Sequence, residues 1–316
     1  MKALLRLVPF AAAYLIVLVL IQVGVIDDYL QATIATICIN IILASSLNLV
    51  VGFTGQLALG HAGFMAIGAY ACALITLQWP TVPGFLLGTL VGAVLAALVG
   101  ALVGLPTLRL RGDYLAIATL GMAEIIRVLL LNLDFTNGAA GLTGMPRIVD
   151  WNWLFLFTVG TLVLLWNYIR SSQGRRAISV REDEIAAESI GVNTTMAKVQ
   201  AFTIGAFFAG IGGALYSSYF YFIKPDLFGF MKSIDILVIV VLGGLGSLTG
   251  TVIAAVLLAV VSTLLQPYPA IRMIVYALVL VVIMIFRPGG LMGSREIGLK
   301  MFGRFAKRKP KEEVDA

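Results

Sequence analysis

Apolar runs of about 17–24 residues, parted by short polar or Pro/Gly-rich segments, recur along the whole chain. That is the length a helix needs to cross about 30 Å of hydrocarbon at 1.5 Å per residue. Inside a bilayer every backbone N–H and C=O must find an internal partner, which leaves helices or a closed barrel. A barrel strand alternates apolar and polar residues. The runs here do not alternate: residues 15–20 and 275–285 are apolar almost throughout. The predicted spans are 8–26, 30–51, 60–78, 83–106, 114–133, 152–169, 199–222, 233–243, 248–266 and 270–286. Prolines mark many ends, at Pro80, Pro83, Pro106, Pro225, Pro267 and Pro288. The expected fold is all-α, a polytopic membrane helix bundle of about ten transmembrane helices with glycine-rich breaks. A transmembrane domain would cover residues 1–294, with a polar loop at 170–198 and a basic tail at 295–316.

Composition agrees. The chain has 316 residues, 60% hydrophobic and 12% charged, with mean hydropathy +1.01, whereas a soluble domain is about one-quarter charged. The net charge of +6 is unevenly spread, so it reads as membrane topology and not as a nucleic-acid surface. With the N-terminus placed inside, seventeen of the 22 Lys and Arg residues fall in inner segments, Arg127 falls within a span, and only Arg147, Lys224, Lys232 and Arg272 fall outside. That bias predicts both termini in the cytoplasm. Lys2 and Arg6 precede the first apolar run as in a secretory signal, but the run is too long and lacks a small-residue cleavage site, so it is taken as the first span. Cys38 and Cys72 lie within apolar runs and offer neither a disulfide framework nor metal-ligand spacing. His61, the single histidine, cannot make a metal site alone.

Several features carry candidate chemistry. Between the second and third spans, glycines at Gly52, Gly55, Gly60 and Gly63 accompany Asn48, Thr54, Gln56 and His61. Discontinuous helices expose unpaired backbone groups and often build solute sites, so those polar residues are candidates to line a substrate pathway. The alternative is a tight hairpin with a packing glycine face. A second break, with Gly243, Gly244 and Gly246, lies between the eighth and ninth spans and hints at an internal repeat. It lacks the lysine of a phosphate loop. In the polar loop, 179–193 predicts one short helix with Ser179 as N-cap and Gly191 as terminator. It is either a solvated surface helix or a docking helix for a cytoplasmic partner. Glu124 and Arg127, three apart inside a span, are expected to neutralise each other. Residues 132–146, polar and glycine-rich, read equally as a vestibule lining or a surface loop.

Taken together, stretches 52–70 (GFTGQLALGHAGFMAIGAY), 108–127 (LRLRGDYLAIATLGMAEIIR), 137–146 (NGAAGLTGMP), 174–193 (GRRAISVREDEIAAESIGVN), 237–250 (LVIVVLGGLGSLTG) and 287–293 (RPGGLMG) resemble the LivM-type membrane permeases of bacterial ABC importers for branched-chain amino acids. The resemblance spans about residues 30–293. It implies a plasma (inner) membrane complex: a second homologous permease of the LivH type, two cytoplasmic ATPase subunits, and a periplasmic or lipid-anchored solute-binding protein delivering a small amino acid. ATP and Mg would sit on the ATPases; this chain would bind no cofactor and have no catalytic residues. Such permeases dock their ATPase through a cytoplasmic helix, often with E-A-A-x3-G. Here Ala186-Ala187-x3-Gly191 fits, but position 185 is Ile. The coupling candidates are Arg181, Glu184, Ala187 and Gly191.

Other readings stay open. The same family could carry urea or a short amide. An ion-coupled secondary transporter would use Glu124 as its coupling acid. An intramembrane protease would need a Ser247–His61 dyad, though the rest of a nucleophile motif is missing.

Overall fold

In a computed structural model of the chain, residues 14–24, 26–108, 110, 112–265, 268, 274, 278, 281–282, 285–286 and 289–293 are described. Among them, residues 14–22 are helical. There follow α1 (Asp28–Asn48), a π-helical turn (Leu49–Phe53), α2 (His61–Gln78), α3 (Val82–Thr107), α4 (Asp113–Asn132), α5 (Trp151–Arg170), α6 (Ser172–Glu182), α7 (Glu184–Ser189), α8 (Thr194–Phe220), α9 (Phe230–Gly243) and α10 (Leu248–Leu264). Two-residue strands β1 (Leu142–Thr143) and β2 (Phe222–Ile223) pair antiparallel at one end of the bundle. The α6–α7 connector lies at the other.

Six helical spans among the described residues are long and apolar enough to cross a membrane: Asp28–Phe53, α2, α3, α4, α5 and α8. Each overlaps a span expected from the sequence. The eighth and ninth expected spans are α9 and α10, of 14 and 17 residues, about 21 and 26 Å long. The first expected span is described only from residue 14, and the last, 270–286, lies mostly outside the described residues.

Local chemistry sets the helix starts. Thr81 caps α3, its Oγ1 accepting from Gly84 N–H at 3.3 Å, and Pro83 occupies the first turn, where a missing N–H costs nothing. Packing rests on small residues. α8 crosses α2 and α3, and Gly210 meets the backbones of both Gly68 and Gly92 closely enough that a side chain at Gly68 would collide with the Gly210 carbonyl. In a bilayer, where lipid is as apolar as leucine, such backbone approach supplies the dispersion energy that holds helices together. The outward face of α3 is bare leucine and valine: Leu90, Leu98 and Leu102 are 60–71% exposed, as a lipid-facing surface requires. Both cysteines are free and buried.

Candidate functional site

The glycine-rich breaks meet at the α6 end of the bundle. α1 does not stop at Asn48 but widens into a π-helical turn over Leu49–Phe53, a distortion that often marks function. The chain then turns at Gly55, whose φ of +70° disfavours any side chain. The second break, 244–247, lies against it. Asn48 is fully buried and joins the two: its Nδ2 donates to Ser247 O at 2.9 Å and Thr251 Oγ1 at 2.7 Å, and its Oδ1 accepts from Gly246 N–H at 2.9 Å. Residues 289–293 close the underside, with Leu291 N–H donating to Leu242 O at 2.9 Å. Residues 289–293 of that motif thus pack on the break they follow in the sequence by some forty residues.

Asn48 Oδ1 satisfies the Gly246 N–H, which lies outside any helix, and its Nδ2 adds a bond to Ser247 O, which also accepts from Thr251 N–H at 3.2 Å. Asn48→Ala is therefore expected to destabilise the protein by about 3 kcal/mol, since each buried group left unpaired costs about 1–3 kcal/mol. Thermal unfolding in detergent, compared with Asn48→Gln, measures it.

The other pathway candidates also turn inward. Thr54 Oγ1 donates to Val50 O at 2.5 Å. His61 Nε2 lies 2.8 Å from Ser46 Oγ, which donates to Leu43 O at 2.9 Å. Gln56 is buried, and neither its Oε1 nor its Nε2 has a partner. In this conformation Asn48 and His61 tie elements together, Thr54 bonds back to its own turn, and of the four candidates only the Gln56 side chain has no partner. Of the other glycines, Gly60 packs on the Thr119 carbonyl, Gly63 on Ala123, and Gly243 on Gly250. No Ser247–His61 dyad forms: Ser247 caps α10, its Oγ accepting from Gly250 N–H at 3.1 Å.

The polar connector departs from the single helix expected over 179–193. α6 begins earlier, because Ser171 caps it by accepting from Gly174 N–H at 3.2 Å. It ends at Asp183, whose extended backbone and carboxylate start a new helix; Asp183 Oδ1 accepts from Ile185 and Ala186 N–H at 2.9 and 3.0 Å. Aspartate is a strong cap, so Ser179 falls inside α6 and bonds back to Arg176 O instead.

The four coupling candidates all serve this connector from within. Arg181 reaches the first break, Nη1 donating to Gly52 O at 2.8 Å, and its side-chain carbons pack on Gly55. It also pairs with Glu182. Glu184 accepts from Lys198 Nζ at 2.6 Å, holding α7 to the start of α8. Ala187 is buried with Val180 and Ala197. Gly191 has φ of +84° and ends α7. The outward positions are others: Ile185 and Ile190 are 73% and 78% exposed. The E-A-A pattern does not single them out, but the spacing of Ile185, Ala186, Ser189 and Ile190 puts them on one small apolar face of the expected helix.

Glu124 and Arg127 do pair, Arg127 Nε donating to both carboxylate oxygens at 2.9 and 3.0 Å. The structure adds Asp226, 3.1 Å from Arg127 Nη1, which sequence spacing could not bring in. The 132–146 loop folds as two 3-10 turns and β1, tied across to the α8–α9 connection by the β1–β2 ladder.

A bundle of spanning helices, broken at paired sites and pinned there to an amphipathic connector, defines a polytopic membrane transport subunit. The chain belongs to the family of the branched-chain amino acid transport system permease component, whose family model matches residues 29–286. It is 36% identical over 304 residues to the high-affinity branched-chain amino acid transport system permease protein LivM of Escherichia coli (strain K12), covering 85% of this chain and 71% of that protein. It is 23% identical over 307 residues to the probable branched-chain amino acid transport permease protein LivM of Methanocaldococcus jannaschii, covering 89% and 80%. To the permease LivH of Salmonella typhimurium (strain LT2) it is 30% identical over 165 residues, 51% of each chain. No solved structure matches.

Proposed function

We propose that this chain is one permease subunit of an ATP-driven importer for branched-chain amino acids. It lies in the bacterial inner membrane with about ten crossings and both termini cytoplasmic. It works with a second, LivH-type permease, two ATPases that hold ATP and Mg, and an external solute-binding protein. Residues 1–294 form the permease domain and 170–198 its ATPase-coupling loop. The observation that carries the coupling role is the connector itself. An exposed apolar pair, Ile185 and Ile190, sits on a hydrophilic segment, and the helix beside it holds the first membrane break through Arg181 and Gly52. An ATPase seated on the isoleucines would move Arg181, and with it the break.

Proteoliposomes containing all partners test the reading. Leucine uptake should require ATP hydrolysis and the binding protein; uptake without hydrolysis overturns it. The bidentate Glu124–Arg127 pair argues against Glu124 as a free proton carrier. Replacing Ile185 and Ile190 together with Asp should leave the fold intact, since both are exposed. It should weaken ATPase retention at least ~tenfold, because a buried apolar anchor at an interface is worth about 2 kcal/mol. Co-purification in mild detergent reads this directly.

A further inference from the structure

α9 starts deep in the bundle. Lys232 Nζ donates to Asn40 Oδ1 at 3.3 Å, and Asn40 lies about 18 Å along α1 from Asp28. Phe228, just before α9, stacks edge-on against Tyr70 with ring centroids 6.2 Å apart; Tyr70 lies about 12 Å along α2 from Gln78. Two independent neighbours therefore place the Pro225–Phe228 turn and the first turns of α9 well below the β1–β2 end. Charges cluster at this depth. Asp226 and Glu124 share Arg127, with 60% and 47% of the two acidic side chains exposed. Gly229 lies against the Arg127 stem, and Asp235, one turn below Lys232, is exposed.

A carboxylate at such depth cannot face acyl chains without severe desolvation. The lipid-facing surface of α3 carries no charge at all over Val82–Thr107. The α4–α9 side is thus built for a different neighbour. We propose that the face formed by α4, the Pro225–Phe228 turn and the start of α9 is the wall of a water-filled path, lined by Glu124, Arg127, Asp226 and Asp235 and closed by a second permease of the same fold. Its carboxylates outnumber its cations, so the lining attracts the ammonium group of a zwitterionic solute, while Arg127 supplies a local partner for its carboxylate. The inference rests on the importer reading and adds which face carries the solute.

The test uses the whole complex in proteoliposomes, in a Cys38→Ala, Cys72→Ala background. Asp235→Cys and Leu98→Cys are exposed to a membrane-impermeant thiosulfonate added on the binding-protein side, with and without ATP. Position 235 should react at least ~tenfold faster than 98, since only a solvated thiolate attacks the reagent. A photocrosslinking residue at Met231, 66% exposed, should capture the second permease, and one at Leu98 should capture lipid. Reaction at 235 no faster than at 98, or adducts at 231 with lipid alone, overturns the proposal. ATP-driven uptake by the unsubstituted complex in the same vesicles separates the cases. Uptake with an unreactive face removes this inference alone; absent uptake removes the importer reading.

Discussion

Arg181→Ala is expected to leave ATP hydrolysis by the assembled complex nearly unchanged while lowering leucine uptake about tenfold, a coupling loss of ~1.4 kcal/mol, within the usual range for communication between sites. The expectation follows from what the guanidinium touches. Its Nη1 donates to a backbone carbonyl, Gly52 O, at the π-helical turn. A backbone carbonyl is fixed to the chain, so a displacement of α6 reaches the membrane break directly. Lysine should restore only part of the uptake. Its ammonium can bond the carbonyl, but it lacks the planar fork with which Arg181 holds Gly52 and Glu182 together. Parallel ATPase and uptake assays on one preparation give the ratio. A proportional fall in both would show that Arg181 serves assembly and not transmission.

Gly52→Val should do more damage, and of another kind. A β-carbon at Gly52 would lie against Asn48 Oδ1 and Gly246 N, between the two atoms that bond each other at 2.9 Å. The neighbour at Gly246 is backbone, so it cannot rotate away. Overpacking of a dense interior costs about 1–3 kcal/mol even where side chains can give, and here about 3 kcal/mol or more is expected. That corresponds to a melting point lower by roughly 4–5 °C or more, at about 2.1 cal/mol/K of unfolding entropy per residue. Thermal unfolding in detergent measures the shift. Ala at Gly63, which packs on Ala123 side-chain as well as backbone atoms, should be milder.

Much of this architecture could be read from residue pattern. Helix α3 is uninterrupted apolar sequence with Thr81 and Pro83 at its start, so its limits were predictable to a few residues. The two glycine-rich breaks were visible too, because glycines cluster there with polar residues inside otherwise apolar sequence. What pattern could not supply was pairing across the fold. Asn48 looked like a polar group on a solute route, but its partners lie about two hundred positions away, at Gly246, Ser247 and Thr251. Nothing local announces such a bond. The connector misled for the opposite reason. Ser179 is a good cap in isolation, yet Ser171 and Asp183 compete for the same role on either side. They win by accepting from Gly174 N–H and from Ile185 and Ala186 N–H, and the two helices so begun bury Val180 and Ala187 together against Ala197. The eighth expected span was short because it begins below the surface, a depth that only Asn40 and Tyr70 reveal.

The small β1–β2 ladder gives the bundle an asymmetry of stiffness. It laces the α4–α5 connection to the α8–α9 connection, with Gly141 seated against the Ile223 carbonyl. At the other end, the two breaks and α6 are joined to one another through side-chain bonds of Asn48 and Arg181, the backbone bonds of residues 289–293 lying beneath the second break alone. A force applied at α6 therefore meets a laced end and a hinged end. The laced end acts as a fulcrum, and the helices between them behave as levers whose excursion is greatest where the force arrives.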